Sequence, residues 1–503
     1  MEGKEPIKKL ETGIAGFDFI SDGGLPKSRV TLVSGSAGSA KTVFAAQFLV
    51  EGIRQANQNG VFVTLEESPD DIRQNTAGFG WNIAELEREG RWAFVDASLR
   101  SGDELTVTGS YDFGALLARI EHAVQKVGAE RLSIDSMGSI FTRLHDAATV
   151  RQELFRIALA LKKMGVTAIL TSECAEDYRE ISRYGVEEFV ADNVIILRNS
   201  LEEEKRRRTV EILKYRGTNH QKGEFPFTVL TGEGVVVIPL AETQLQQKSS
   251  NIRLTSGNQE LDELCGGGFF RDSIILVSGA TGTGKTLMTA EFIAGGVKQN
   301  ESCLLFAFEE SREQLFRNAR GWGLNFEQME QDGKLKVVCV YPETFGLEDH
   351  LVRMKREIQE FKPNRVAVDS LSALERVSTI KGFREFVISL TSFIKHQEIV
   401  GLFTATTASL MGGTSITETH ISTITDSIIL LRYVEAFGEM KRGLTVLKMR
   451  GSMHNKDIRE FNIDNHGMHI GKPFRNVGGI LAGNPQHLAP GEFDRLREMF
   501  SES

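Results

Sequence analysis

The chain reads as two tandem α/β domains, each a mainly parallel sheet flanked by helices. Three observations predict this. The sequence is duplicated: "GFDFISDGGLPKSRVTLVSGSAGSAKT" parallels "ELDELCGGGFFRDSIILVSGATGTGKT", with Asp18 matching Asp262 and Lys41 matching Lys285, both 244 positions apart. Continuous apolar runs (Val30–Ser34, Ile274–Val277, Val366–Val368, Ile428–Leu431) alternate with longer amphipathic stretches such as "FREFVISLTSFIKHQ". That is the pattern of strands buried on both faces between helices. In each copy, a glycine-rich turn sits between such a run and a helix.

The elements recur in one order. After the first strand, turn and helix, "VFVTLEES" matches "LLFAFEES", "RLSIDSMGSI" matches "RVAVDSLSAL", and "ILKYRGTNH" matches "VLKMRGSMH" at an offset of 234. A unit this long is a whole domain used twice, not a short solenoid repeat. The polar stretch "AETQLQQKSSN" is the junction. The expected domains are 1–245 and 246–480, with a short tail at 481–503.

Composition bounds the function. A quarter of the residues are charged and the net charge is −9, which argues against a nucleic-acid coat protein. Four cysteines show no ligand spacing, as in a reducing compartment without a disulfide framework. "MEGKEPIKKLETG" has no signal core, and no apolar run is long enough to span a bilayer. A cytoplasmic protein with no membrane partner is the expectation.

The turn "GATGTGKT" (Gly279, Ala280, Thr281, Gly282, Thr283, Gly284, Lys285, Thr286) fits G-x-x-x-x-G-K-[ST] in full. Glycines let backbone N–H groups approach phosphate, and the helix N-terminus adds partial positive charge. Lys285 is placed to reach the β- and γ-phosphates of ATP, and Thr286 to ligate Mg2+. The first copy, "GSAGSAKT" (Gly35, Ser36, Ala37, Gly38, Ser39, Ala40, Lys41, Thr42), has alanine where the last glycine belongs. Ala40 is harmless if helix-like and strained if its φ is positive. Retained nucleotide binding is the expectation.

Asp135 and Asp369 end apolar strands, the usual place for an acid holding Mg2+ through water. They join Thr42, Thr286 and Glu309 as candidate metal residues. Glu66-Glu67 and Glu309-Glu310 each follow a strand about 25 residues past the loop lysine. A carboxylate near the γ-phosphate can orient and deprotonate the attacking oxygen. The first pair is expected to orient the lytic water; Glu309 acts as a general base on a hydroxyl, with Glu310 tuning it. A solvated pair is the ordinary reading of Glu-Glu in a loop; recurrence in both copies favours catalysis. "KYRGT" and "KMRGS" offer Lys and Arg alternately on a strand, as a basic edge strand or as a donor to a neighbouring subunit's phosphate. Ser422 and Thr423, with Thr417 nearby, precede the strand Ile428–Leu431. Such hydroxyls are usually turn or cap residues. Read as an extended segment, adjacent side chains would face opposite ways.

Together "GGLPKSRVTLVSG", "YGVEEFVADNVIILRN", "DELCGGGFFRDSIIL", "YPETFGLEDHL", "FKPNRVAVDSLSAL" and "HISTITDSIILL" resemble the KaiC family, the ATPase and autokinase at the centre of the cyanobacterial circadian clock. The resemblance spans residues 6 to about 480. It implies two RecA-like P-loop NTPase domains stacked as a double-ring homohexamer, with ATP between subunits. It implies that Lys214 and Arg216, and Lys448, Met449, Arg450 and Ser452, act across those interfaces. Thr218 and His220 in the first ring, and Trp322 and Arg442 in the second, match positions near the base or ribose. The first domain would be a slow ATPase with a KaiB-like partner, and the second an autokinase phosphorylated on Ser422 and Thr423. Aligning Leu197-Arg198 with Leu431-Arg432 puts Glu188 opposite Ser422, so the first copy carries charge where the second carries a hydroxyl. The tail departs from the family's longer one and speaks against dependence on a KaiA-like activator.

Two other readings share these motifs. One is a RecA- or helicase-type DNA-dependent ATPase, which needs a basic stripe facing a pore; "EEEKRRRT" reads instead as a charged hairpin. The other is a nucleotide-binding signalling scaffold with an inactive first ring, favoured by Ala40.

Overall fold

The computed structural model describes residues 7–98, 113–138, 147–174, 190–202, 205–239, 249–407, 421–436, 438–475, 477–478, 480 and 486–487. Thr417, Glu187, Glu188, most of the tail and the side chain of Ser422 lie outside the described residues. The chain divides into two compact units, Met1–Glu242 and Thr243–Ser503.

The first unit holds strands β1 (Val30–Gly35), β2 (Gly60–Thr64), β3 (Trp92–Asp96), β4 (Arg131–Asp135), β5 (Thr167–Glu173), β6 (Asn193–Glu202), β7 (Lys205–Tyr215), β8 (Glu224–Leu230) and β9 (Gly234–Val237). They form one sheet in the order β9-β8-β7-β6-β1-β5-β4-β2-β3. The strands from β6 to β3 along that order run parallel; β7, β8 and β9 are added antiparallel. Helices α1 (Lys41–Ala56), α2 (Pro69–Ala77), α3 (Phe113–Val127) and α4 (Ala147–Met164) connect and cover them. Both faces are dry: Ile195 and Leu197 of β6 join one apolar cluster with α1, while Val194 and Ile196 join another with α3 and α4. This is why the strands read as unbroken apolar runs.

The second unit repeats the plan with β10 (Ile274–Gly279), β11 (Cys303–Ala307), β12 (Leu335–Cys339), β13 (Arg365–Asp369), β14 (Val400–Thr406), β15 (Ser427–Ala436), β16 (Glu439–Met449), β17 (Arg459–Asp464) and β18 (Gly467–Pro473). Their order, β12-β11-β13-β14-β10-β15-β16-β17-β18, is that of the first sheet. Helices α5 (Lys285–Lys298), α6 (Arg312–Gly321), α7 (Leu347–Phe361) and α8 (Ile380–His396) flank it. The duplication is thus one of topology as well as sequence.

Matched buried arginines pin each loop helix. Arg131 donates to the carbonyls of Phe48 (2.8 Å) and Glu11 (2.6 Å), and Arg365 to those of Phe292 (3.0 Å) and Thr255 (2.7 Å). Gly52 and Gly296 leave the room they need, since a Cβ there would lie 2.2 and 2.5 Å from the arginine Nε. Arg131 is tolerated in the interior by these carbonyls, and Arg365 also by Glu301, which accepts from its Nε at 2.5 Å.

One pinned position differs. Gln47 of α1 joins the loop helix to the β9 backbone, accepting from Val235 N at 2.7 Å. Its counterpart in α5 is Glu291, which accepts from Met468 N at 2.6 Å and from Asn258 Nδ2 at 3.3 Å. Burial pushes the Glu291 carboxyl up to about 7, against those two hydrogen bonds and nearby His469; Glu260 adds to the rise. A raised carboxyl stabilises the fold fully below its ordinary 4.5, and that contribution is lost as pH rises through about 7. The loss is on the order of 3 kcal/mol. Glu291→Gln, mimicking the first copy, is expected to raise the unfolding midpoint of the second unit at pH 8 and leave it unchanged at pH 5. Equal shifts at both pH values would contradict this.

Candidate nucleotide and phosphoryl-transfer sites

Both loops open a helix at the carboxyl end of the central parallel strand, where ligands of such sheets sit. The first N–H groups of α1 and α5 have no intrahelical acceptors and face that end. Lys41 Nζ donates to the carbonyls of Gly35 and Ser36, both at 3.0 Å, and Lys285 Nζ to those of Gly279 (2.9 Å) and Ala280 (3.0 Å). Each lysine thus spans its own loop. Burial lowers the Lys285 pKa, and Asp369 and Glu309 oppose that. Gly38 and Gly282 have φ of +70° and +80°. A Cβ at Gly282 would lie 2.8 Å from the Tyr433 hydroxyl.

Ala40 resolves the departure in the first loop. Its φ is +69°, against +107° at Gly284, so the alanine is left-handed, not helix-like. A Cβ at Gly284 would point to Ile463 Cδ1 (3.0 Å), Met468 Cε (3.4 Å) and Phe461 Cε2 (3.7 Å), which are core side chains. Ala40 packs on the matching cluster with Phe44 and Val235. The methyl costs about 1 kcal/mol of backbone strain but does not enter the phosphate cradle. Ala40→Gly is therefore expected to leave ATP affinity within about twofold, read by titration with a fluorescent ATP analogue in a Lys285→Ala background. Binding that appears only in the variant would mean a dead first site.

The loop threonines meet the strand-end aspartates. Thr42 Oγ1 donates to Asp135 Oδ2 at 2.6 Å, and Thr286 is hydrogen-bonded to Asp369. Thr171 holds the other oxygen of Asp135, and Thr404 also donates to Asp369. Burial raises the Asp369 pKa, against Thr404 and Thr286. A loop hydroxyl beside a fixed carboxylate is a donor set that fits Mg2+ held directly and through water. Among the described residues, no group of three or more His, Cys, Asp or Glu makes an all-protein metal site. All four cysteines are free thiols.

Each glutamate pair lies between strand and helix. Capping boxes, Ser68 with Asp71 and Ser311 with Gln314, start α2 and α6 just beyond them. Asn75 Nδ2 donates to Glu67 (2.9 Å) and Asn318 Nδ2 to Glu310 (3.1 Å). Burial raises the pKa of both glutamates, helped by Asp135 and Asp369 respectively and opposed by the asparagines. The first glutamates are held differently. Ser136 Oγ donates to Glu66 at 2.7 Å, whereas Arg376 Nη2 donates to Glu309 at 3.1 Å.

The remaining candidates gather elsewhere. β15 pairs with β10 from Ser427 opposite Ile275 to Leu431 opposite Gly279. Lys448 and Met449 lie opposite Ile428 and Ser427. They sit at the amino end, roughly 13 Å from their own loop at about 3.3 Å per residue. There Lys448 Nζ donates to Thr425 O (2.7 Å) and Arg450 Nη2 to Thr423 O (2.7 Å). Ser452 accepts from Arg253 at 2.5 Å. Ser422 and Thr423 belong to helical turn α9 (Ile421–Ile424), and Thr423 is exposed. This corrects the extended reading: the backbone turns by about 100° per residue there, not 180°. The first copy agrees, with Lys214 Nζ donating to Ala191 O (2.8 Å), Arg216 near Asp192 (3.9 Å) and His220 against Tyr215, beside Thr218. β7 and β16 are interior strands, which removes the edge-strand reading of both basic motifs. Arg442 does reach its own loop region, lying over the Tyr433 ring at 5.9 Å. Trp322 caps α6 and packs on the core. Sequence reasoning missed Arg208, which donates to Gly38 O of the first loop at 3.2 Å. It is 234 positions before Arg442, the offset already seen in the basic motifs.

Two RecA-like domains, each with a phosphate loop, a hydroxyl–aspartate pair and a glutamate pair, define a tandem P-loop ATPase. The sequence pattern of the family described as "ATPase: KaiC" matches residues 10–242 and again 254–474. The chain is 70% identical over 496 residues (99% of this chain and 98% of the relative) to circadian clock protein KaiC3 of Synechocystis sp.. It is 54% identical over 490 residues (97% and 94%) to circadian clock oscillator protein KaiC of Thermosynechococcus vestitus. The chain belongs to the KaiC family of nucleotide-binding ATPases. No described helix is long and apolar enough to cross a membrane.

Proposed function

We propose that this chain is a cytoplasmic circadian-clock ATPase that assembles as a double-ring homohexamer and phosphorylates itself on Ser422 and Thr423. The observation that carries it is the separation of each site into two halves. Loop, aspartate and glutamates share one end of the sheet; Lys448, Arg450 and Thr423 share the other. A hydroxyl roughly 13 Å along the sheet from its own loop is suited to a neighbour's nucleotide. In the first unit, a groove of about 470 Å³ beside Arg216, with Phe155 63% exposed, supports a covering neighbour.

Bound Mg2+-ATP supplies the phosphoryl group and the cation that offsets its charge. Lys285 and the α5 N-terminus hold the β- and γ-phosphates, with Thr286 and Asp369 as the cation's residues. Glu309 takes the proton of the attacking hydroxyl, and Glu310, kept in reach by Asn318, tunes it. Lys448 and Arg450 stabilise charge from across the interface. In the first unit, Glu66 and Glu67 direct a water, giving slow hydrolysis. A KaiB-like partner docks on the first unit. Intact-mass measurement after incubation with Mg2+-ATP, followed by site mapping, tests this. Added phosphate mapping to Ser422 and Thr423 is expected; an unmodified mass would overturn the autokinase.

A further inference from the structure

The two copies differ at one contact that bears on the reaction. In the first, the hydroxyl of the residue after the strand-end aspartate, Ser136, holds Glu66. In the second, the matching Ser370 is fully buried and its Oγ has no hydrogen-bond partner among the described residues. It starts the short helix Leu371–Glu375 yet makes no cap hydrogen bond. Its register to the glutamate is the same: Phe308 N bonds Asp369 O at 2.8 Å, as Leu65 N bonds Asp135 O at 2.9 Å. Glu309 is instead engaged by Arg376 at the far end of that helix, 3.1 Å away, where both side chains are partly exposed. The first copy has Thr142 at the position of Arg376, aligned from the matching aspartates.

A buried hydroxyl without a partner is costly and rare. Here its natural acceptor is visible in the other copy. We infer that Arg376 is a positioning residue that parks Glu309, and that movement of Glu309 from Arg376 to Ser370 gives the second site the arrangement the first already has. An exposed ion pair is weak, so the latch is shallow: its release is expected to change rate by no more than about fivefold. A guanidinium beside the base also withholds its lone pairs from a hydroxyl proton. Moving to Ser370 takes the base away from the cation, holds one carboxylate oxygen by a neutral hydroxyl and leaves the other for the proton. The inference rests on Glu309 being the base in the proposed reaction.

The test uses full-length hexamers carrying Glu66→Gln/Glu67→Gln, so that the remaining ATP turnover belongs to the second unit. In that background Arg376→Gln is expected to raise turnover about two- to fivefold, while Arg376→Lys, which keeps the charge, leaves it unchanged. Adding Ser370→Ala should erase the gain, because the receiving hydroxyl is gone. Turnover in Arg376→Gln that is unchanged or lower, or a gain that survives Ser370→Ala, would overturn the latch. Glu309→Gln in the same background separates the two claims. A fall there with no response to Arg376→Gln rejects the latch alone; no fall rejects the base, and the latch with it.

Discussion

Lys285→Ala is expected to reduce phosphate incorporation into the chain by about a hundredfold or more, in line with removal of a charged donor from developing phosphoryl charge. Lys285 is buried, and its ammonium already spans the loop through the carbonyls of Gly279 and Ala280. In that position it is pre-placed for phosphates and pays little reorganisation. The same change at Lys41 acts on the other ring: nucleotide there is proposed to join subunits, so Lys41→Ala should impair assembly and basal turnover more than labelling per assembled hexamer. Quantitative phosphate labelling beside size-exclusion chromatography separates the two outcomes. Native labelling in Lys285→Ala would place the phosphoryl donor elsewhere.

Glu309→Gln carries the second large effect. Loss of a general base typically costs about a hundredfold or more, and glutamine keeps the shape without the basicity. Hexamers should persist, because Glu309 is partly exposed and so is Arg376, the side chain that donates to it. Glu310→Gln should cost less, since Glu310 is held sideways by Asn318 and its raised pKa reflects burial rather than contact with a hydroxyl. Labelling in Glu309→Gln at the native rate would remove it from the mechanism.

What was legible in the sequence was what short spacing determines. A phosphate loop is a local motif, so Gly279 to Thr286 could be placed without the fold, and duplication then located its weaker copy. Asp135 and Asp369 followed from strand ends, and the glutamate pairs from recurrence. What stayed hidden depends on backbone angles or on contacts far apart in the chain. The conformation of Ala40 is set by a turn whose φ spacing does not report, and its methyl is accommodated by a distant cluster. Ser422 and Thr423 precede an apolar strand, which favours an extended reading, yet they take a helical turn whose Thr423 carbonyl is held by Arg450 from 27 positions away. The partners of Glu66 and Glu309 differ because Ser136 follows a strand end, whereas Arg376 lies at the end of the short helix beyond Asp369. Gln47 and Glu291 were visible as a substitution between copies, but its meaning lies in burial against β9 and β18, which no local pattern contains.

The central claim is that the phosphoryl group crosses between subunits to Ser422 and Thr423. Hexamers assembled from a mixture of Ser422→Ala/Thr423→Ala chains and Lys285→Ala chains test it most directly. The first kind can bind ATP at its loop but offers no acceptor; the second offers acceptors but has lost its loop lysine. After incubation with Mg2+-ATP, mass mapping should find phosphate on Ser422 or Thr423 of the Lys285→Ala chains, and only in mixed assemblies. Phosphate absent from those chains, while unmutated hexamers label normally, would contradict transfer between subunits.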